Sequence, residues 1–186
     1  SFLDHIVFNP KDGFIYGIKN NISTLAEYFT RFDPATGILM DIAPLSGVNF
    51  GIGCKSVIDV LHQEYIIQST SLAAIDISSG NVIYNNPIQN LAIETLDHIA
   101  YSCKKQKVFG LSNNPHIPEE YLVEVDTNNA VVSHVDPLPL PVSYYKNYLS
   151  GSTIDNTTDI YYYAASGGII YGIDINSGNV VYSHTY

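Results

Sequence analysis

A chain of 186 residues with 46% hydrophobic content is long enough for one domain with a sizeable core. Its net charge of −10, with only eight Lys plus Arg, argues against nucleic acid or an anionic membrane as a partner. No apolar run approaches the ~20 residues of a membrane span, so no membrane insertion is expected.

In chain order the sequence reads as four copies of one four-strand pattern. The first copy has predicted strands at about 5–9, 14–19, 27–33 and 38–42. The second has them at about 57–61, 65–69, 72–76 and 81–85, and the third at about 98–102, 107–112, 121–126 and 131–135. The fourth has them at about 148–154, 160–165, 169–174 and 179–183. Val, Ile, Tyr, Phe and Thr dominate these runs, as half-buried strands require. The nearest helical candidate, 23–29, is too short to stand alone and reads as the loop before a strand.

An Asp-led turn closes each copy: Asp33-Pro34-Ala35-Thr36-Gly37, Asp76-Ile77-Ser78-Ser79-Gly80, Asp126-Thr127-Asn128-Asn129-Ala130 and Asp174-Ile175-Asn176-Ser177-Gly178. The spacings are 76 − 33 = 43, 126 − 76 = 50 and 174 − 126 = 48. Periods of roughly 40–50 residues with several short strands each are those of propeller blades. The fold class expected is therefore all-β, a β-propeller of four blades of four antiparallel strands. Blades fall at approximately 3–47, 48–90, 91–141 and 142–186 of a single domain, 1–186.

The turn has a local physical cause. Asp accepts from backbone N–H groups two residues on, and Gly supplies the positive φ that closes the hairpin. That hairpin role outweighs calcium ligation, because the loop lacks alternating oxygen ligands. In the third copy Ala130 replaces Gly, which predicts the left-handed position at Asn128 or Asn129.

Two duplications pair the copies. Eleven residues from Ala74 to Tyr84 recur from Gly172 to Tyr182 with eight identities, and Leu3-Asp4-His5-Ile6 recurs as Leu96-Asp97-His98-Ile99. The offsets, 96 − 3 = 93 and 174 − 76 = 98, indicate a duplicated two-blade unit.

The segment Ala74-Ile75-Asp76-Ile77-Ser78-Ser79-Gly80-Asn81-Val82-Ile83-Tyr84 resembles the repeat of quinoprotein-like and YVTN-type β-propellers. Those carry a Trp four residues after the Gly. Here Tyr84 and Tyr182 hold that place, Asp41 and His134 hold it in the other blades, and the chain has no Trp. The resemblance implies blades and says little of chemistry, since nothing matches the quinone-binding residues of those enzymes. Ring closure within one chain is preferred, and closure by dimerisation stays open.

Blades one and three would face each other across a closed ring. Asp4, His5, Asp97 and His98 are then candidates for an axial ion or small polar ligand, since carboxylates and imidazoles bind divalent metals. Against this, strands alternate, so neighbouring Asp and His side chains are expected on opposite faces. No cofactor beyond that axial cation is expected. Cys54 and Cys103 fall in neighbouring blades and are read as either a disulfide or two thiols.

No hydrolase, zinc-protease or Cys-x-x-Cys motif is present, and the glycine-rich stretch 47–53 precedes no helical pattern. The expected function is a non-catalytic binding module for a protein or glycan. Its candidate contacts are Tyr144, Tyr145 and Tyr148 in a Pro-flanked connection and His116 in the insertion 112–120. The alternatives are a hydrolase or lyase acting at the central channel, or a structural domain of a larger protein. Asn21-Ile22-Ser23 and Asn156-Thr157-Thr158 match glycosylation acceptors and, with low Lys and high Tyr, lean toward an extracellular or cell-envelope location.

Overall fold

The runs that the sequence marks as rich in β-branched and aromatic residues become strands. The computed structural model describes residues 2–21, 23–46, 50, 54–89, 95–113, 120–135, 151–165 and 168–186. Among the described residues sixteen strands form: β1 (Phe2–Phe8), β2 (Ile15–Asn21), β3 (Ala26–Phe32), β4 (Leu39–Leu45), β5 (Lys55–Asp59), β6 (Glu64–Gln68), β7 (Ser71–Asp76) and β8 (Val82–Pro87). The second half gives β9 (Thr95–Ser102), β10 (Lys107–Asn113), β11 (Glu120–Val125), β12 (Val132–His134), β13 (Ser152–Asp155), β14 (Ile160–Ala165), β15 (Ile169–Asp174) and β16 (Val180–Thr185). They form four antiparallel meanders, β1 to β4, β5 to β8, β9 to β12 and β13 to β16.

The chain divides into two compact units, Ser1–Asn86 and Pro87–Tyr186, each of two sheets. In the first, Ile18, Phe29, Tyr65, Ile67, Ala73 and Ile75 are wholly buried in one core cluster. In the second, Phe109, Leu111, Leu122, Tyr161, Tyr163 and Ile173 do the same. Burying each such aromatic or aliphatic side chain contributes about 1.5–3 kcal/mol. The last strand of the final sheet, β16, is exposed at every residue.

All four Asp turns form as hairpins with one geometry. The main-chain oxygens of Asp33, Asp76, Asp126 and Asp174 each accept from the N–H four residues on at 2.8 Å. The Asp side chains also accept from N–H groups within the turn: Ala35 at 2.8 Å, Ser79 at 2.7 Å, Asn128 at 2.9 Å and Asn176 at 2.7 Å. The left-handed residue is Gly37, Gly80, Ala130 or Gly178. Ala130 itself therefore takes φ 57°, and the sequence expectation of Asn128 or Asn129 is corrected. The Asp bonds fix the register of the turn, so its fifth residue must be left-handed whatever its side chain.

Two further corrections concern strand starts. β1 begins at Phe2 and β9 at Thr95, because His5 and His98 stand inside these strands and do not open them. The short helical candidate at 23–29 resolves into a turn with Leu25 at φ 55° and then β3.

Candidate functional site

Asp4 pairs with Ile18 and Val7 with Tyr16, so His5 and Ile6 together stand opposite Gly17. This is a β-bulge, and His5 adopts φ 53° there. In the second unit Asp97 pairs with Leu111 and Ala100 with Phe109, leaving His98, also at φ 53°, and Ile99 opposite Gly110. Left-handed backbone at a non-glycine residue costs about 1–3 kcal/mol and persists only where surroundings over-determine it.

The surroundings do so here. A Cβ on Gly17 would lie 2.8 Å from the Asp4 oxygen, and one on Gly110 would lie 2.9 Å from the Asp97 oxygen. Only glycine lets the bulged strand approach. The main-chain oxygen of His5 accepts from Ser56 Oγ at 2.8 Å and from the Tyr65 hydroxyl. In the second unit Tyr161 donates to the His98 oxygen, and Ser152 Oγ donates to Ile99 at 3.1 Å.

The bulge overturns the expectation that Asp and His point to opposite faces. Asp4 Oδ1 accepts from the His5 N–H at 2.9 Å, and Asp4 Oδ2 lies 3.7 Å from His5 Nε2. His5 Nδ1 lies 3.1 Å from the Cys54 carbonyl oxygen, which can only accept. The proton of a neutral ring is therefore on Nδ1, and Nε2 keeps its lone pair beside Asp4. The His5 side chain is 4% exposed while Asp4 is 41% exposed, so the imidazole is enclosed and the carboxylate reaches solvent.

Glu27 joins this group. It sits on β3 two residues before Phe29, and so on the core-facing side of the strand. Burial pushes its carboxyl up from the ordinary range, while the Phe50 N–H and the His5 charge pull it partly back. Its Oε2 is buried and finds no hydrogen-bond partner among the described residues. Burial also raises the Cys54 thiol, with Asp4 and Glu27 adding to the effect. A desolvated carboxyl beside an oriented imidazole is the pattern of an acid–base site.

The second unit repeats the frame. The offsets 97 − 4, 98 − 5 and 120 − 27 are all 93, and Glu27 opposes Asn20 as Glu120 opposes Asn113. No motif announces Glu27 or Glu120. The signal that could have found them is the constant offset, which holds from Leu3 and Leu96 to Asp33 and Asp126; 112–120 therefore matches 19–27 in length, and its reading as an insertion is corrected.

Of the other sequence candidates, Tyr144, Tyr145, Tyr148 and His116 lie outside the described residues, as does most of the glycine-rich stretch. Asp4–His5 and Asp97–His98 fall in separate units. Cys54 and Cys103 are not joined in a disulfide. Among the described residues no three His, Cys, Asp or Glu side chains converge as a metal site.

No protein-family model matches the chain, and no curated protein matches it. Solved structures do. An oligogalacturonate lyase in complex with manganese superposes with a TM-score of 0.62 at 10% identity, covering 96% of this chain and 51% of that one. A putative 6-phosphogluconolactonase from Bacteroides uniformis superposes with a TM-score of 0.58 at 14% identity, covering 96% and 52%. The fold is a β-propeller of four-stranded blades. The chain spans about half the length of either structure.

Both neighbours carry the names of enzymes, which corrects the reading of a non-catalytic binding module. That reading rests on tyrosines expected to be exposed in a Pro-flanked connection, which lies outside the described residues. Among the described residues, the enclosed His5 imidazole stands at a strand bulge and acts on the desolvated Glu27 carboxyl.

Proposed function

We propose that this chain is an enzyme, a hydrolase or lyase acting on a carbohydrate-acid derivative, with its acid–base pair in His5 and Glu27. The observation that carries this is the enclosed imidazole with Nδ1–H bound to Cys54, next to a carboxyl that burial holds toward its protonated form. The likeness to a lyase and a lactonase supports the substrate class at the level of the fold. The Asp turn supports counting the repeats with YVTN-type blades.

The chemistry asks one base and one acid to work together. In hydrolysis, His5 Nε2 takes a proton from water, and the hydroxide adds to the acyl carbon. The C–O bond to the leaving oxygen breaks, and Glu27 gives that oxygen its proton. In elimination, Nε2 takes the proton from the carbon next to a carboxylate. A C=C bond forms, the C–O bond one carbon further breaks, and Glu27 again protonates the leaving oxygen. Asp4 stabilises the imidazolium formed in either case.

The test supplies the protein with oligogalacturonate and, separately, with sugar-acid lactones. Ultraviolet absorbance reads elimination and proton release reads lactone opening. Turnover of one class is expected, with His5→Asn and Glu27→Gln each lowering kcat by about 10²–10⁴-fold. Turnover of neither, or turnover untouched by both variants, overturns the proposal.

A further inference from the structure

The duplicated frame makes the first unit an internal control for the second. Positions that the fold requires should match between them, and those that differ report on something else. Register aligns Ser56 with Ser152, Ile67 with Tyr163 and Ala73 with Tyr171. In the first unit these inner positions are apolar and wholly buried: Ile67 and Ala73 are both 0% exposed. The second unit places two tyrosines there, facing the side of β11 that carries Glu120 and Leu122. The first unit packs its core without them, so packing does not demand their hydroxyls.

Tyr163 is 3% exposed, and its Oη has no hydrogen-bond partner among the described residues. A buried phenol normally finds one, and leaving it unmade is unfavourable. Its ring stacks on Tyr171 at 5.4 Å and lies 6.3 Å from both His98 and Tyr161. Glu120 is near enough to act on the hydroxyls of both Tyr161 and Tyr163, and Asp97 acts on Tyr161. Tyr171, His98, Glu120 and Asp97 are all half-buried and give the group its solvent side.

We infer that Tyr163, Tyr171, His98, Glu120 and Asp97 form a binding site in the second unit for a small organic ammonium ion. Ring faces attract cations, and carboxylates only accept hydrogen bonds, so the ligand must bring charge and donors. A compact metal ion needs converging ligands, which the described residues do not supply. A wider, diffuse cation needs only the rings and the field. This site belongs to the second unit, and the inference does not depend on the acid–base pair proposed in the first.

The test titrates the protein with tetramethylammonium and with methylamine, read by calorimetry and by tyrosine emission, which no Trp obscures in this chain. Saturable binding is expected for at least one probe. Glu120→Gln should weaken it at least 10-fold. The pair Tyr163→Ile and Tyr171→Ala, which imports the residues the first unit already accommodates, should abolish it while the protein stays folded. Glu27→Gln should leave it unchanged. Absence of saturable binding overturns the inference. So does binding that the tyrosine pair leaves intact, or a response to manganese or calcium in place of the ammonium probes.

Discussion

The Tyr65 hydroxyl donates to the main-chain oxygen of His5, 60 positions earlier in the chain. The second unit repeats this between Tyr161 and His98, 63 positions apart. In both, a buried tyrosine of one blade holds the bulge of the blade before it, so the inter-blade contact and the left-handed histidine are one device. The carbonyl would point elsewhere in an unbulged strand.

That coupling predicts non-additive mutations. Tyr65→Phe and Ser56→Ala each remove one of the two donors to the His5 oxygen, and each should cost about 1 kcal/mol. The double variant leaves that oxygen without either donor. Denaturant unfolding should show an excess over the sum of about 0.5–3 kcal/mol. Strict additivity would mean that the two bonds do not share the work of holding the bulge.

The duplication made the blades legible, because eleven residues carry both the strand and the turn that follows it. Asp76 and Gly80 announce their hairpin by residue type alone. His5 does not announce its bulge. Its conformation depends on Gly17 across the ladder and on Tyr65 in the next blade, and neither is local in sequence. Glu27 carries no motif, and only its 93-residue offset to Glu120 marks it, because an isolated carboxylate gains meaning from what buries it. At Ala130 residue preference and turn register disagree, and register prevails.

Glycine at the bulge is a steric requirement. Gly17→Ala would put a methyl 2.8 Å from the Asp4 oxygen, and Gly110→Ala would put one 2.9 Å from the Asp97 oxygen. Backbone cannot yield as a side-chain end can. Each variant should lose about 1–3 kcal/mol in chemical denaturation. Gly17→Ala should also reduce turnover, since it displaces Asp4 and His5. Wild-type stability in both would show that the bulge relaxes without cost.

Two hairpin glycines separate conformation from crowding. Gly37 at φ 73° has nothing within 4 Å of a built Cβ, so Gly37→Ala should cost only the left-handed penalty of about 1–2 kcal/mol. Gly80 at φ 71° has Ala43 Cβ at 2.5 Å, so Gly80→Ala adds a clash and should cost more. Equal losses in thermal unfolding would remove the packing role of the Gly80 turn.

Asp155 should give an acid-side signature. Thr157 and Thr158 donate to its carboxylate and lower it from 3.8 to about 2. The ionised form therefore favours the fold. Its contribution is present above pH 3.8 and is lost as pH falls toward about 2. Melting temperature followed from pH 5 to pH 2 should fall less steeply in Asp155→Asn than in the wild type. Identical slopes would place the acid sensitivity elsewhere.

Glu27 should behave in the opposite sense. Burial raises its carboxyl above the ordinary value of 4.5, so the fold favours the protonated form. Its contribution is most favourable below pH 4.5 and is lost as pH rises through the raised value. Above that raised value the charged group is a net burden on folding. Glu27→Gln keeps the shape and removes the charge. It should melt higher than the wild type at pH 7, with the gap closing below pH 4.5, while turnover falls. A variant that is more stable and less active is what a site bearing strain for chemistry requires. A variant no more stable at pH 7 would mean that the Glu27 carboxylate is solvated, and the acid role proposed for it would go with that result.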